Sequence, residues 1–196
     1  LTHGWARRGS RPRAVKQTEY DWAYLFGAVC PGTGESVAMV APSVSIELMN
    51  LHLKWIGEHA RASPGGEAVR VVLVLDRAGW HASPNVVWPS NVTPLFLPPY
   101  SPELNGIERL WPRVRLKGLA NRVLPGGADL DAEGVRAWNR LTTDEIKSTC
   151  RTPWSSTARV LATARPRSLW QCTLTMALGM LGTFLKMPSM RLQNSW

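Results

Sequence analysis

Two carboxylates are placed where chemistry is often done. Asp76 ends the apolar run VVLVL of residues 71–75, and Glu108 follows the proline-dense connector Leu97-Pro98-Pro99-Tyr100-Ser101-Pro102-Glu103-Leu104-Asn105. An acid at the carboxyl end of a buried strand lies where open α/β sheets put their sites. A second acid held facing it would complete a pair of hard oxygen ligands, the kind that Mg²⁺ or Mn²⁺ takes while leaving positions for water and phosphate. A pair of such ions activates water and stabilises the leaving oxygen of a phosphodiester. Each residue also has a plainer reading. Asp76-Arg77-Ala78-Gly79 reads equally as a turn that the aspartate caps. Asn105 can cap a helix with Glu108 at its third position, the capping-box spacing. His81 reads as a loop or structural histidine rather than a ligand.

The surrounding sequence must hold these groups in place. Residues 22–30 (WAYLFGAVC) predict a strand closed by Pro31-Gly32, and residues 35–41 (ESVAMVA) its hairpin partner. Ser45 opens a helix whose buried face is Ile46, Met49, Leu53, Ile56 and Ala60, stopped by Ser63-Pro64-Gly65-Gly66. Residues 71–75 lack alternation, as in a strand buried on both faces. Residues 92–97 predict another strand, pushed towards a sheet edge by Pro94. This order of elements predicts an α/β domain with a mixed sheet and flanking helices. Past about residue 125 the pattern decays at Gly126-Gly127, with a short helix expected around Val135–Leu141.

Charge is unevenly spread along the 196 residues, which suffice for one domain and a tail. Residues 1–20 carry a net +4, residues 21–145 a net −2, and residues 146–196 a net +7 without a single acid. Basic flanks favour a polyanion through release of its counterions, and Arg7, Arg8, Arg11 and Arg13 are the cluster to meet it. The competing reading is a solvated basic surface. Three scattered cysteines exclude a disulfide scaffold and offer no C-x-x-C pair for zinc. The phosphate-binding, zinc-protease and serine-hydrolase motifs are absent. No apolar run follows a basic start, so a cytoplasmic, nucleoid-associated protein is expected. Residues 168–185 are uncharged and mostly apolar, but Gln171 and several hydroxyl residues argue against a membrane span.

The segments VLVLDRAGWH (72–81) and LPPYSPELNGIERLW (97–111) resemble two blocks of the DDE transposases of the mariner-like superfamily, in particular its bacterial insertion-sequence branch. WARRGSRPRA and YDWAYLFGAVCP look like earlier stretches of that family, and the resemblance runs from residue 4 to about 124. It implies a ribonuclease-H-like fold over residues 1–125, followed by a basic tail over 126–196. It also implies an acidic triad holding two divalent ions, Mg²⁺ or Mn²⁺, that cuts DNA at transposon ends and joins them to a target. A homodimer is the expected assembly. On the motif match Asp76 is the second acid of the triad and Glu108 the third, while Glu103 is a loop residue. The first acid would precede Leu1, so the resemblance implies a chain truncated before its first strand and inactive alone. Asp21 stands at a position the family does not use for metal. Arg77 replaces a small residue, Gly106 replaces a proline, Pro112 falls inside the expected last helix, and the family's helix-turn-helix has no counterpart. A catalytically dead remnant that binds DNA non-specifically is the alternative.

Overall fold

The computed structural model describes residues 22–76, 83–120, 127–153 and 171–181, together with Arg8 and His81. Strands β1 (Ala23–Val29) and β2 (Ser36–Ala41) form an antiparallel hairpin in which Leu25 pairs with Val40. Its turn closes through the Gly34 N–H to the Cys30 carbonyl at 2.7 Å. Gly34 has φ of +79° and packs against Thr143, so a side chain there would be strained and would collide.

Helix α1 (Ile46–Ala62) starts where the sequence predicts, with the Ser45 hydroxyl accepting from the Leu48 N–H at 3.3 Å. Met49, Leu53, Ile56 and Ala60 are buried on its inner face. Full burial of side chains such as Leu53 and Ile56 contributes about 1.5–3 kcal/mol each. They cover one face of the sheet together with Ala28 and with Val71, Leu73 and Leu75 of strand β3 (Arg70–Leu75). Strand β4 (Val92–Phe96) runs parallel to β3 and forms the sheet edge. Pro94 lies in it, as an edge strand permits, because an outer strand can forgo a ladder N–H.

The opposite face is covered by later chain. A 3₁₀ turn (Gly106–Arg109), helix α2 (Trp111–Val114), a π turn (Arg115–Leu119), helix α3 (Gly127–Asn139) and helix α4 (Thr143–Cys150) follow one another. Ile107, Leu110, Trp111 and Val114 share a core with Ala23, Leu25 and Val29 and with Leu130, Ala137, Trp138, Ile146 and Cys150. Residues beyond 126, read in the sequence as tail with one short helix, thus build the same core as the strands. Strand β5 (Gln171–Leu181) completes the sheet in the order β2-β1-β5-β3-β4. It is antiparallel to β1 and parallel to β3, giving the mixed α/β sheet with helices on both faces that the element order predicts. Among the described residues no helix is long and apolar enough to cross a membrane. The central part of the apolar stretch 168–185 forms strand β5.

Two sequence expectations about the last helix are corrected. Pro112 does not interrupt it: the 3₁₀ turn ends at Arg109, and Pro112 falls in the first turn of α2, where a missing N–H costs little. Gly106 is not merely a lost rigid position. A Cβ at that residue would run into the Cys150 carbonyl, so the close approach of α4 to the 3₁₀ turn excludes proline and every other side chain.

Candidate active site

The carboxyl end of β3 and the 3₁₀ turn bring the two predicted carboxylates to one rim. Val71, Leu73 and Leu75 face α1, so the alternation of a strand turns Asp76 to the other face, where the 3₁₀ turn lies. Glu108 is close enough for the Asp76 charge to act on it. Its carboxyl is pushed above the ordinary value chiefly by burial, with repulsion from Asp76 adding to the rise. The buried Trp111 indole N–H, near the carboxylate but short of full hydrogen-bond geometry, pulls it down by less.

Glu108 is not the helix cap that its spacing allowed. The Asn105 side chain makes no capping bond, and the Glu108 N–H donates to the Asn105 main-chain carbonyl at 3.1 Å. The physical reason is the tighter 3₁₀ start, which replaces the α-turn a capping box requires. Trp111, one turn later, sits over Gly27 of β1: a Cβ on Gly27 would lie 3.0 Å from Trp111 and 2.8 Å from Trp138. The two indoles lean together with centroids 6.1 Å apart. The glycine therefore lets two tryptophans rest on the middle of the sheet, and this seats the turn that carries Glu108.

Asp76 has its own support. The His81 ring is buried, and its Nδ1–H donates to Asp76 Oδ1 at 2.7 Å and faces the Asp76 main-chain carbonyl at 3.0 Å. One carboxylate oxygen is thereby fixed while the side chain stays half exposed. Such outer partners orient a carboxylate for its task. The structural reading of His81 gains a definite content: it is a positioning group for Asp76. The sequence signal is the histidine five residues beyond the aspartate.

Behind the rim, α3 and α4 lock the turn from below. Glu133, almost wholly buried, pairs with Arg136 at 2.8 Å and Arg140 at 2.9 Å. Lys117 of the π turn reaches Glu145 at 2.8 Å and the Arg140 carbonyl at 2.8 Å. Glu145 also closes a capping box with Thr142, and these bonds hold its carboxyl down at about 2. The T-x-x-E spacing of residues 142–145 is the sequence signal for this helix start. Cys150 is buried with its thiol pushed up to about 12 by desolvation, against a weaker pull from Arg109 and Arg113. It is therefore inert as a nucleophile.

Whether the rim fits a divalent ion depends on its donors. Two carboxylates, one oriented by His81 and one raised chiefly by burial, suit a single Mg²⁺ or Mn²⁺ that takes its other ligands from water and phosphate. They do not form a three-carboxylate cluster, and among the described residues no group of three metal-ligating side chains occurs. On the inner side of β3 lies β5, where Leu75 pairs with Met176, and β5 contains no acid. Glu103 is exposed on a separate 3₁₀ turn (Pro102–Leu104). Arg8 is exposed; Arg7, Arg11, Arg13, Asp21 and Arg77 lie outside the described residues.

Comparison with known proteins supplies the family. A family model for the DDE superfamily endonuclease matches residues 1–130. The uncharacterized protein y4pE/y4sA of Sinorhizobium fredii is 42% identical over 120 residues, which span 61% of this chain and 85% of that protein. No solved structure matches the chain. With two thirds of its length matched and its two motif carboxylates on one rim, the chain belongs to the DDE superfamily endonucleases.

Proposed function

We propose that this chain is a DNA-processing domain of a transposase from the mariner-like, insertion-sequence branch, built on a ribonuclease-H-like sheet. The observation that carries the reading is the meeting of Asp76 and Glu108 at the carboxyl rim of the sheet, where the Asp76 charge adds a minor rise to a Glu108 carboxyl raised chiefly by burial. DDE endonucleases act on DNA and generally use divalent metal ions. Here Asp76 and Glu108 would hold Mg²⁺ or Mn²⁺, which supplies a Lewis acid to a phosphate oxygen and acidifies bound water.

The chain's own groups do the rest. His81 keeps one Asp76 oxygen engaged and so orients the carboxylate at the rim. The Trp111 indole lies near Glu108 and lowers its carboxyl, against the larger effect of burial. Arg109 and Arg113, exposed along the same segment, and the cluster Arg7, Arg8, Arg11 and Arg13 neutralise backbone phosphates. Cleavage calls for a third carboxylate, which would come from outside the described residues.

A second reading rests on β5. Because the strand beside Asp76 brings no acid, a domain that binds DNA without cutting it is the rival. Supercoiled plasmid incubated with the chain and Mn²⁺ distinguishes the two. Nicking that disappears in Asp76→Asn and Glu108→Gln supports strand cleavage. A salt-dependent mobility shift without nicking supports binding alone. Neither nicking nor a shift would overturn both.

A further inference from the structure

One exposed aromatic on the same rim is not explained by the carboxylate pair. Past β4 the chain stays in register for one more residue, with the Leu97 N–H donating to the Leu75 carbonyl at 2.8 Å. Leu75 immediately precedes Asp76. Three residues later stands Tyr100, within about 10 Å of Leu97 even if the chain is fully extended. Its side chain is 89% exposed, and it belongs to none of the buried clusters.

The backbone at Tyr100 is unusual too. Its φ is +58°, and among the described residues no other non-glycine residue has a positive φ. This left-handed conformation suits glycine and strains a residue with a Cβ. The strain is held by a stiff frame. Pro98, Pro99 and Pro102 limit the chain, the Ser101 hydroxyl donates to the Pro99 carbonyl at 3.3 Å, and the Leu104 N–H donates to the Ser101 carbonyl at 3.2 Å. The fold gains nothing from this side chain and would be served better by glycine. Strain held at a rim beside paired carboxylates points to use of the side chain outside the protein.

We infer that Tyr100 is a nucleobase-stacking residue, which holds an unpaired base next to the phosphate presented to Asp76 and Glu108. The inference rests on the DNA-processing reading above and adds a binding subsite to it. A solvent-facing phenol ring offers a flat face to any base, and the proline frame fixes the backbone that presents it. An unpaired base is required because only an unstacked one exposes its face to a side chain. Tyr100 positions the strand and takes no part in bond breaking.

The test uses the full chain and a DNA duplex with a short single-stranded 3′ overhang carrying a fluorescent adenine analogue, compared with the same duplex made blunt. Binding of the overhang should quench the analogue in the wild type, in Tyr100→Phe and in Tyr100→Trp. Tyr100→Ala and Tyr100→Gly should lose the quenching and bind the overhang roughly 10- to 100-fold more weakly, with blunt duplex binding unchanged. Tyr100→Gly should melt no lower than wild type, since glycine relieves the left-handed backbone; this separates lost stacking from lost folding. If DNA binds but Tyr100→Ala quenches and binds the overhang like wild type, the stacking role is overturned and the DNA reading stands. If wild type binds neither DNA, both fall together.

Discussion

The two strands that flank β3 meet Asp76 in opposite ways. On one side β4 runs parallel to β3, ends at Phe96 and feeds a proline-framed connector that returns Glu108 to the rim. On the other side β5 is also parallel to β3, and its Met176 pairs with Leu75, yet it is drawn from an acid-free stretch of chain. Backbone pairing is therefore satisfied on both sides of Asp76, while carboxylate chemistry is supplied on only one. A sheet slot asks for hydrogen-bonding groups and apolar side chains, which most sequences can offer; a metal site asks for particular residues at one level of that sheet. The two demands are separable, and this molecule separates them.

Trp111→Ala should have the largest effect on the β4 side of the comparison. Removing a buried indole wedged between β1 and α3 should cost about 3–5 kcal/mol, read by urea denaturation. Gly106→Ala should cost about 1–3 kcal/mol, because the added Cβ meets the Cys150 carbonyl. A Gly106 variant as stable as wild type would refute the close approach of α4 to the 3₁₀ turn.

These effects bear on what could be read from the chain alone. β1 to β4 and α1 are legible because their signals are local: apolar runs bounded by Pro-Gly and Ser-Pro-Gly-Gly, and a helical stripe opened by Ser45. The edge position of β4 follows from one residue, Pro94. The fate of Glu108 was not legible. Its spacing from Asn105 fits a capping box, and what replaces the box with a 3₁₀ turn involves Gly106 against Cys150 and Trp111 against Gly27, contacts between residues far apart in sequence. β5 carries a local signal, Cys172, Leu174, Met176, Leu178 and Met180 alternating with threonine, alanine and glycine, but its place between β1 and β3 depends on partners far away in sequence. The pairing of His81 with Asp76 has no periodic signal in the sequence, whereas α4 is announced locally by Thr142 and Glu145.

A third substitution sharpens the comparison from the β5 side. Ala177 follows Met176 and pairs with Gly27, which places it at the level of Asp76 in the sheet. Ala177→Asp should lower stability without metal through like-charge repulsion, and should tighten Mn²⁺ binding roughly tenfold, about 1.4 kcal/mol, seen as a larger metal-induced rise in melting temperature. An unchanged response would mean that β5 does not set the missing side of the site.

The smallest effect concerns pH. Glu108 titrates higher in the folded chain than in the unfolded one, so the folded state holds the extra proton between those two values. Its contribution to stability is fully present below the ordinary carboxylate value and is lost as pH rises through the raised one. Glu108→Gln should remove that slope and be at least as stable as wild type at neutral pH, as followed by thermal melts across mildly acidic pH. A retained slope would assign it to another group.

The central claim is that Asp76 and Glu108 form one electrostatic unit at the rim. Its most direct test is the Glu108 pKa, followed by carboxyl carbon NMR in wild type and in Asp76→Asn. A lower Glu108 value in the variant, still above the ordinary one because burial remains, is the predicted result. An identical value in both proteins would contradict the claim and leave two carboxylates that share a motif but not a site.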